Sequence, residues 1–253
     1  LRLAIPKRMV RAEKAWAASP PPETPEISEA TRAWARDALA TYPTFADALA
    51  GGGRLAVDAP PVPAALDDGT PVGAWAVLLA AAAVETLAAG RSAVLAVPDN
   101  RDFAQLESVL SAHLPDGALV RDDATQSGPA RYAAFLRMLA DAPCVVLGNR
   151  SAVYAPATDV GLVAVWDDGD PLLAEPLSPG VHARDAALLR QELEGCALVF
   201  AGHTRTTDVE RLVAVGWVRE LPAARRVSPR VILSATREGE SHGARVPSSA
   251  FAA

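Results

Sequence analysis

Two short turns carry the residue types best suited to chemistry. Gly148-Asn149-Arg150-Ser151 follows the apolar run 144–147, and Asp167-Asp168-Gly169-Asp170 follows the apolar run 160–166. In the first turn the Arg150 guanidinium can reach a phosphate, with Asn149 and Ser151 adding neutral donors. The alternative is an internal charge-assisted pair between Arg150 and Asp167 or Asp170. In the second turn three carboxylates either order the loop by hydrogen bonds or retain some capacity for a divalent cation. Further on, His182 and Arg184 open a helix, where a cation opposes the dipole and an anionic partner would relieve it. Tyr132 and Tyr154 can stack on bases or serve as packing.

The elements that must position these residues follow from periodicity and punctuation. Both apolar runs are β-branched-rich and bounded by turn residues, as buried strands are. Further strands are expected over 54–59, 92–97, 118–121, 196–201 and 230–234. Helices are expected over 72–89 (closed by Gly90), 99–114, 128–140, 182–194 and 205–215, with a Pro-rich loop across 171–181. Strands separated by helices of this length imply βαβ units and a parallel sheet, in which ligands gather at the carboxyl ends of strands. Both turns lie at such ends. Before this domain, residues 1–50 read as a basic start, a Pro-rich linker around residues 19–25, and one short helix over 27–42 with Ser28 as its N-cap. The main domain is taken as 51–236. Residues 237–253, polar and Gly-rich, are expected to lack fixed structure.

A nucleotide-hydrolysing α/β domain needs a Gly-rich loop after its first strand, whose N–H groups and one Lys hold the phosphates. The loop in that place, residues 60–71, holds Pro60, Pro61, Pro63 and Pro71, which have no N–H, and Asp67 and Asp68, which repel anions. The chain's two lysines are Lys7 and Lys14, so none follows the first strand.

Gly148, Arg150, Ser151, Ala152, Val153, Ala155 and Pro156, then His182-Ala183-Arg184-Asp185, with Val97-Pro98-Asp99 upstream, give an ordered set of matches across roughly residues 50–235. This set resembles the first motor lobe of the PriA (primosomal protein N′) family of replication-restart helicases, with Asn149 and Tyr154 as departures. The resemblance implies a RecA-like, P-loop NTPase-type α/β lobe, a parallel sheet with helices on both faces. It makes Asp167, Asp168 and Asp170 a degenerate Walker B-like turn, with Asp168 in the place of the family's Glu. It also sets 202–207, including His203, against a Gly-Ser-Ala-Thr-Pro coupling segment; on its own, His203 reads as a surface helix cap.

The same resemblance, to an actinobacterial-type branch without recognisable helicase motifs, implies a replication-restart fragment with its ATPase motifs lost. Such a fragment would bind forked or single-stranded DNA through Asn149, Arg150, Ser151, His182 and Arg184. It would also help reload the replicative helicase alongside restart and helicase-loading proteins. No residue is assigned a catalytic or metal-ligating role and no cofactor is expected, the family's zinc site falling outside this chain. The rival readings are an ATP-dependent 3′-5′ DNA helicase and a structural lobe that docks partner proteins.

Bulk properties bound these readings. With 253 residues and half of them hydrophobic, the chain can bury a substantial core. A net charge of −6 excludes a surface that is one continuous DNA footprint, although basic residues cluster at 7–14 and 219–230. Cys144 and Cys196 sit in apolar runs and read as buried reduced thiols of a cytoplasmic protein. The apolar stretch 74–84 is too short to span a bilayer, so no membrane association is expected. The chain does not open on Met and ends without a distinctive segment, which suggests a fragment.

Overall fold

The computed structural model describes residues 5–223. Seven parallel strands form one sheet: β1 (Arg54–Asp58), β4 (Ser92–Ala96), β5 (Leu119–Asp122), β6 (Val145–Gly148), β7 (Val160–Trp166), β8 (Ala197–Gly202) and β9 (Arg219–Leu221). Their order is β5-β6-β4-β7-β8-β1-β9, and every neighbouring pair is parallel. β2 (Pro63–Ala65) and β3 (Pro71–Gly73) form a separate antiparallel hairpin. Alternate residues of each strand enter opposite cores. Leu55, Leu95, Leu147, Leu162 and Val199 face one side; Ala56, Val94, Val146, Val163 and Phe200 face the other. A strand buried on both faces has no polar alternation, which is why β7 reads as a continuous apolar run.

Helices cover both faces, the α/β RecA-like arrangement expected. α2 (Glu29–Leu39), α3 (Phe45–Ala50), α4 (Ala74–Ala88) and α5 (Asn100–His113) contribute to the first core. α6 (Gly128–Met138), α7 (Ala183–Glu194) and α8 (Thr207–Ala214) contribute to the second. Ser28 caps α2 by accepting from the Thr31 N–H at 3.1 Å, as its sequence suggested. Cys144 and Cys196 are buried free thiols.

Several elements differ from expectation. Residues 5–50 hold three helices rather than one: α1 (Val10–Ala18) has no buried residue of its own and rests against α6, a contact its weak pattern did not announce. α4 begins at Ala74 instead of residue 72, because Val72 belongs to the hairpin. α8 begins at Thr207, with Thr206 as the N-cap. The three-residue edge strand β9 was not anticipated; nothing in Arg-Glu-Leu carries a strand period. The strand expected over 230–234 and the tail 237–253 lie outside the described residues.

Candidate functional site

The connections after β1 and β4 run to the first face of the sheet, and those after β7 and β8 to the second. The carboxyl ends of these four adjacent strands therefore frame the crevice where an open α/β sheet receives ligands. Both turns singled out from the sequence lie along this edge.

Arg150 opens a 3-10 turn (Arg150–Tyr154) just after β6. Its Nε donates to Glu175 Oε2 at 3.2 Å, so the ion-pair partner comes from the 171–181 loop and is neither Asp167 nor Asp170. A loop partner that far along the chain leaves no local trace in the sequence. Asn149 Nδ2 donates to the Val97 and Pro98 carbonyls at 3.1 and 3.4 Å, and Ser151 Oγ to Asp122 Oδ2 at 3.4 Å. Asn149 and Ser151 thus tie the ends of β4, β5 and β6 together. Gly148 permits the close approach: a Cβ there would lie 2.3 Å from the Asp122 carbonyl oxygen.

The carboxylate turn is divided. Asp168 is buried, and its Oδ2 accepts from Arg184 Nη1 at 3.1 Å and Thr206 Oγ1 at 2.7 Å. The anion that relieves Arg184 at the start of α7 is therefore internal, joined by Asp208 at 3.2 Å. His182 caps α7 by accepting from the Arg184 N–H at 3.1 Å, and burial, with Arg184 adding to it, pushes its pKa down. Asp170 accepts from the Leu172 N–H at 2.8 Å. Asp167 has a left-handed backbone, φ 48°, and burial together with Asp170 and Asp168 pushes its carboxyl up. Among the described residues, no group of three or more His, Cys, Asp or Glu is placed to hold a metal ion.

Beside Asp167 opens a cavity of about 490 Å³ between the hairpin, α4, α5 and the ends of β7 and β8. Trp75 and Trp166 stack at 4.2 Å with an interplanar angle of 11°, and the His203 ring meets Trp166 edge-on at 5.0 Å. His203 is held by Nδ1 at 3.0 Å from the Ala59 carbonyl; Thr206 takes the capping role that sequence reading gave to it. Asp102 accepts from the Trp166 indole, and burial, with Asp99, Asp167 and Asp170 adding to it, pushes its carboxyl up to about 6. Sequence reading passed over Asp102 because Asp99-x-x-Asp102 is an ordinary helix start, and Asp99 does accept from the N–H groups of Arg101 and Asp102. It also missed Arg205, whose guanidinium joins Asp58, Glu210 and Glu220 at 2.8–2.9 Å and so pins α8 and β9 to β1.

The loop between β1 and α4 turns several of its remaining N–H groups inward. Val62 donates to Pro60, Leu66 to Thr70, Gly69 to Leu66 and Ala74 to Val62. Thr70 donates to Asp68 Oδ1 and Gly73 to Gln105 Oε1. A Cβ on Gly73 would lie 2.4 Å from the Trp75 ring, so the hairpin sits directly on the indole stack.

No family model matches the chain. It is 36% identical over 92% of its length to the probable replication restart protein PriA of Mycobacterium leprae. Against the probable replication restart protein PriA of Mycobacterium tuberculosis it is 35% identical over all of its length. The chain is a homologue of replication restart protein PriA. The similarity to PriA extends outside the mycobacteria, with 31% identity over 59% of the chain to the protein of Treponema pallidum. The chain spans little more than a third of the mycobacterial PriA proteins, 35% and 38% of their lengths. Among the described residues no helix is long and apolar enough to cross a membrane.

Proposed function

We propose that this chain is a RecA-like lobe of a cytoplasmic replication-restart protein that works with DNA and helicase-loading partners without hydrolysing ATP at its sheet edge. The observation that carries this reading is the hairpin between β1 and α4. A phosphate cradle needs successive N–H groups converging on the anion and a cation to neutralise it. Pro60, Pro61, Pro63 and Pro71 offer no N–H, and Val62, Leu66, Gly69, Thr70, Gly73 and Ala74 donate internally. The Walker B-like Asp168 is committed to Arg184 and Thr206, which further supports a scaffold role for that turn.

Calorimetric titration of the chain with Mg·ATP tests this: no binding is expected at millimolar nucleotide, and no DNA-stimulated hydrolysis. Installing one Lys in the hairpin is expected to rescue neither, since the converging donors would still be missing. Micromolar Mg·ATP binding would overturn the reading in favour of an ATP-driven helicase lobe. The DNA contact itself is assigned to the edge carrying Asn149, Arg150, Ser151, His182 and Arg184. Fluorescence anisotropy with forked and single-stranded DNA checks it, and absence of binding would leave a lobe that docks partner proteins only.

A further inference from the structure

We propose that the cavity beside the Trp75–Trp166 stack is a receptor for a guanidinium group, with Asp102 and Asp167 as its anionic partners. This goes beyond the proposed inability of this edge to hold ATP and rests on that reading, because a site tuned for a cation excludes a triphosphate.

The walls fit such a group in three ways. Pro61, Pro63, Pro71, Val72, Trp75 and Trp166 make an apolar and aromatic slot, and a guanidinium is the cation that stacks on such surfaces with least loss of hydration. At about 490 Å³ the cavity is ample for an arginine side chain and within the size range of small-ligand sites. Two carboxylates, Asp102 and Asp167, border it, and among the described residues no Lys or Arg lines it.

Among the described residues the two carboxylates bordering the cavity have no ion-pair partner, unlike three others along this edge. Asp168 has Arg184, Glu175 has Arg150, and Asp58 has Arg205. Asp102 has, among the described residues, the Trp166 indole as its side-chain donor, and it feels Asp99, Asp167 and Asp170 as like charges. Asp167 feels Asp168 and Asp170, offset only by His203. A planar fork of donors can serve both carboxylates from one group, which a compact ammonium does less well.

The test is an NMR titration of the full chain with N-acetyl-arginine amide near pH 7.5, read on the tryptophan indole N–H signals. Trp16, Trp34 and Trp217 lie outside the cavity and act as internal references, assigned by Trp→Phe replacement. Saturable shifts confined to Trp75 and Trp166, in the millimolar range, are expected. The matching citrulline amide, of the same shape without the charge, should produce less than a fifth of the shift. Asp102→Asn with Asp167→Asn should weaken binding at least tenfold while keeping the fold, since Asn tolerates the left-handed backbone at position 167. Equal shifts from citrulline, unchanged affinity in the double variant, or no saturable shift would each overturn the proposal. A parallel Mg·ATP titration separates the two readings: nucleotide binding refutes the phosphate-free edge, whereas loss of the arginine response alone refutes only the guanidinium receptor.

Discussion

Replacing Asp102 with Asn should stabilise this protein by an amount that grows as pH rises from acid to neutral. Asp102 is half-buried against the indole stack with three other carboxylates acting on it, which takes its pKa from an ordinary 3.8 to about 6. At about 1.36 kcal/mol per pH unit, that rise corresponds to about 3 kcal/mol against the ionised form. Water and salt at a half-exposed rim screen roughly half of this, leaving about 1.5 kcal/mol. The sign follows from the proton balance. A carboxyl with a raised folded pKa binds its proton more tightly when folded, so its favourable contribution is complete below pH 3.8 and is lost as pH rises through 6. Asn mimics the protonated side chain and still accepts from the Trp166 indole. The gain should therefore be full at pH 8, about half as large at pH 5, and absent near pH 3. Thermal unfolding at pH 5 and 8 reads it out: about 1.5 kcal/mol is roughly 3–6 °C in a domain of this size. No gain at pH 8, or an equal gain at both pH values, would refute the account of this site as uncompensated charge.

Two further outcomes follow from the geometry of the edge. Asp168→Asn should lower stability by about 2 kcal/mol, read as a shifted urea midpoint, because a buried charge-assisted pair with Arg184 loses its anion. On the proposed scaffold role the folded variant should keep its DNA affinity, and a large loss of affinity would contradict that role. Arg150→Ala should reduce the slope of log affinity for single-stranded DNA against log salt by about 0.7, one phosphate contact. An unchanged slope with a lower melting temperature would instead confine Arg150 to its pair with Glu175.

The alternation of helices with apolar runs makes the fold class legible in the sequence, because a strand buried on both faces must be apolar throughout and a helix must show a longer period. β7, β8 and β4 were legible for that reason, and so was the absence of a Gly-rich loop after β1. Residues 60–71 already displayed the prolines; that the intervening N–H groups close a hairpin depends on Thr70, Gln105 and Val62 meeting in space. Which carboxylate takes which cation was likewise decided by tertiary structure. Arg150 turns to Glu175 and Arg184 to Asp168, pairings set by where the 171–181 loop and α7 cross the sheet edge. Asp102 and Asp167 lie 65 positions apart in sequence and border one cavity because α5 and β7 pack at the same end of the sheet. Local pattern determines which segments are strand or helix. The partners of a charge are chosen by the packing of segments distant in the chain, which no local pattern encodes.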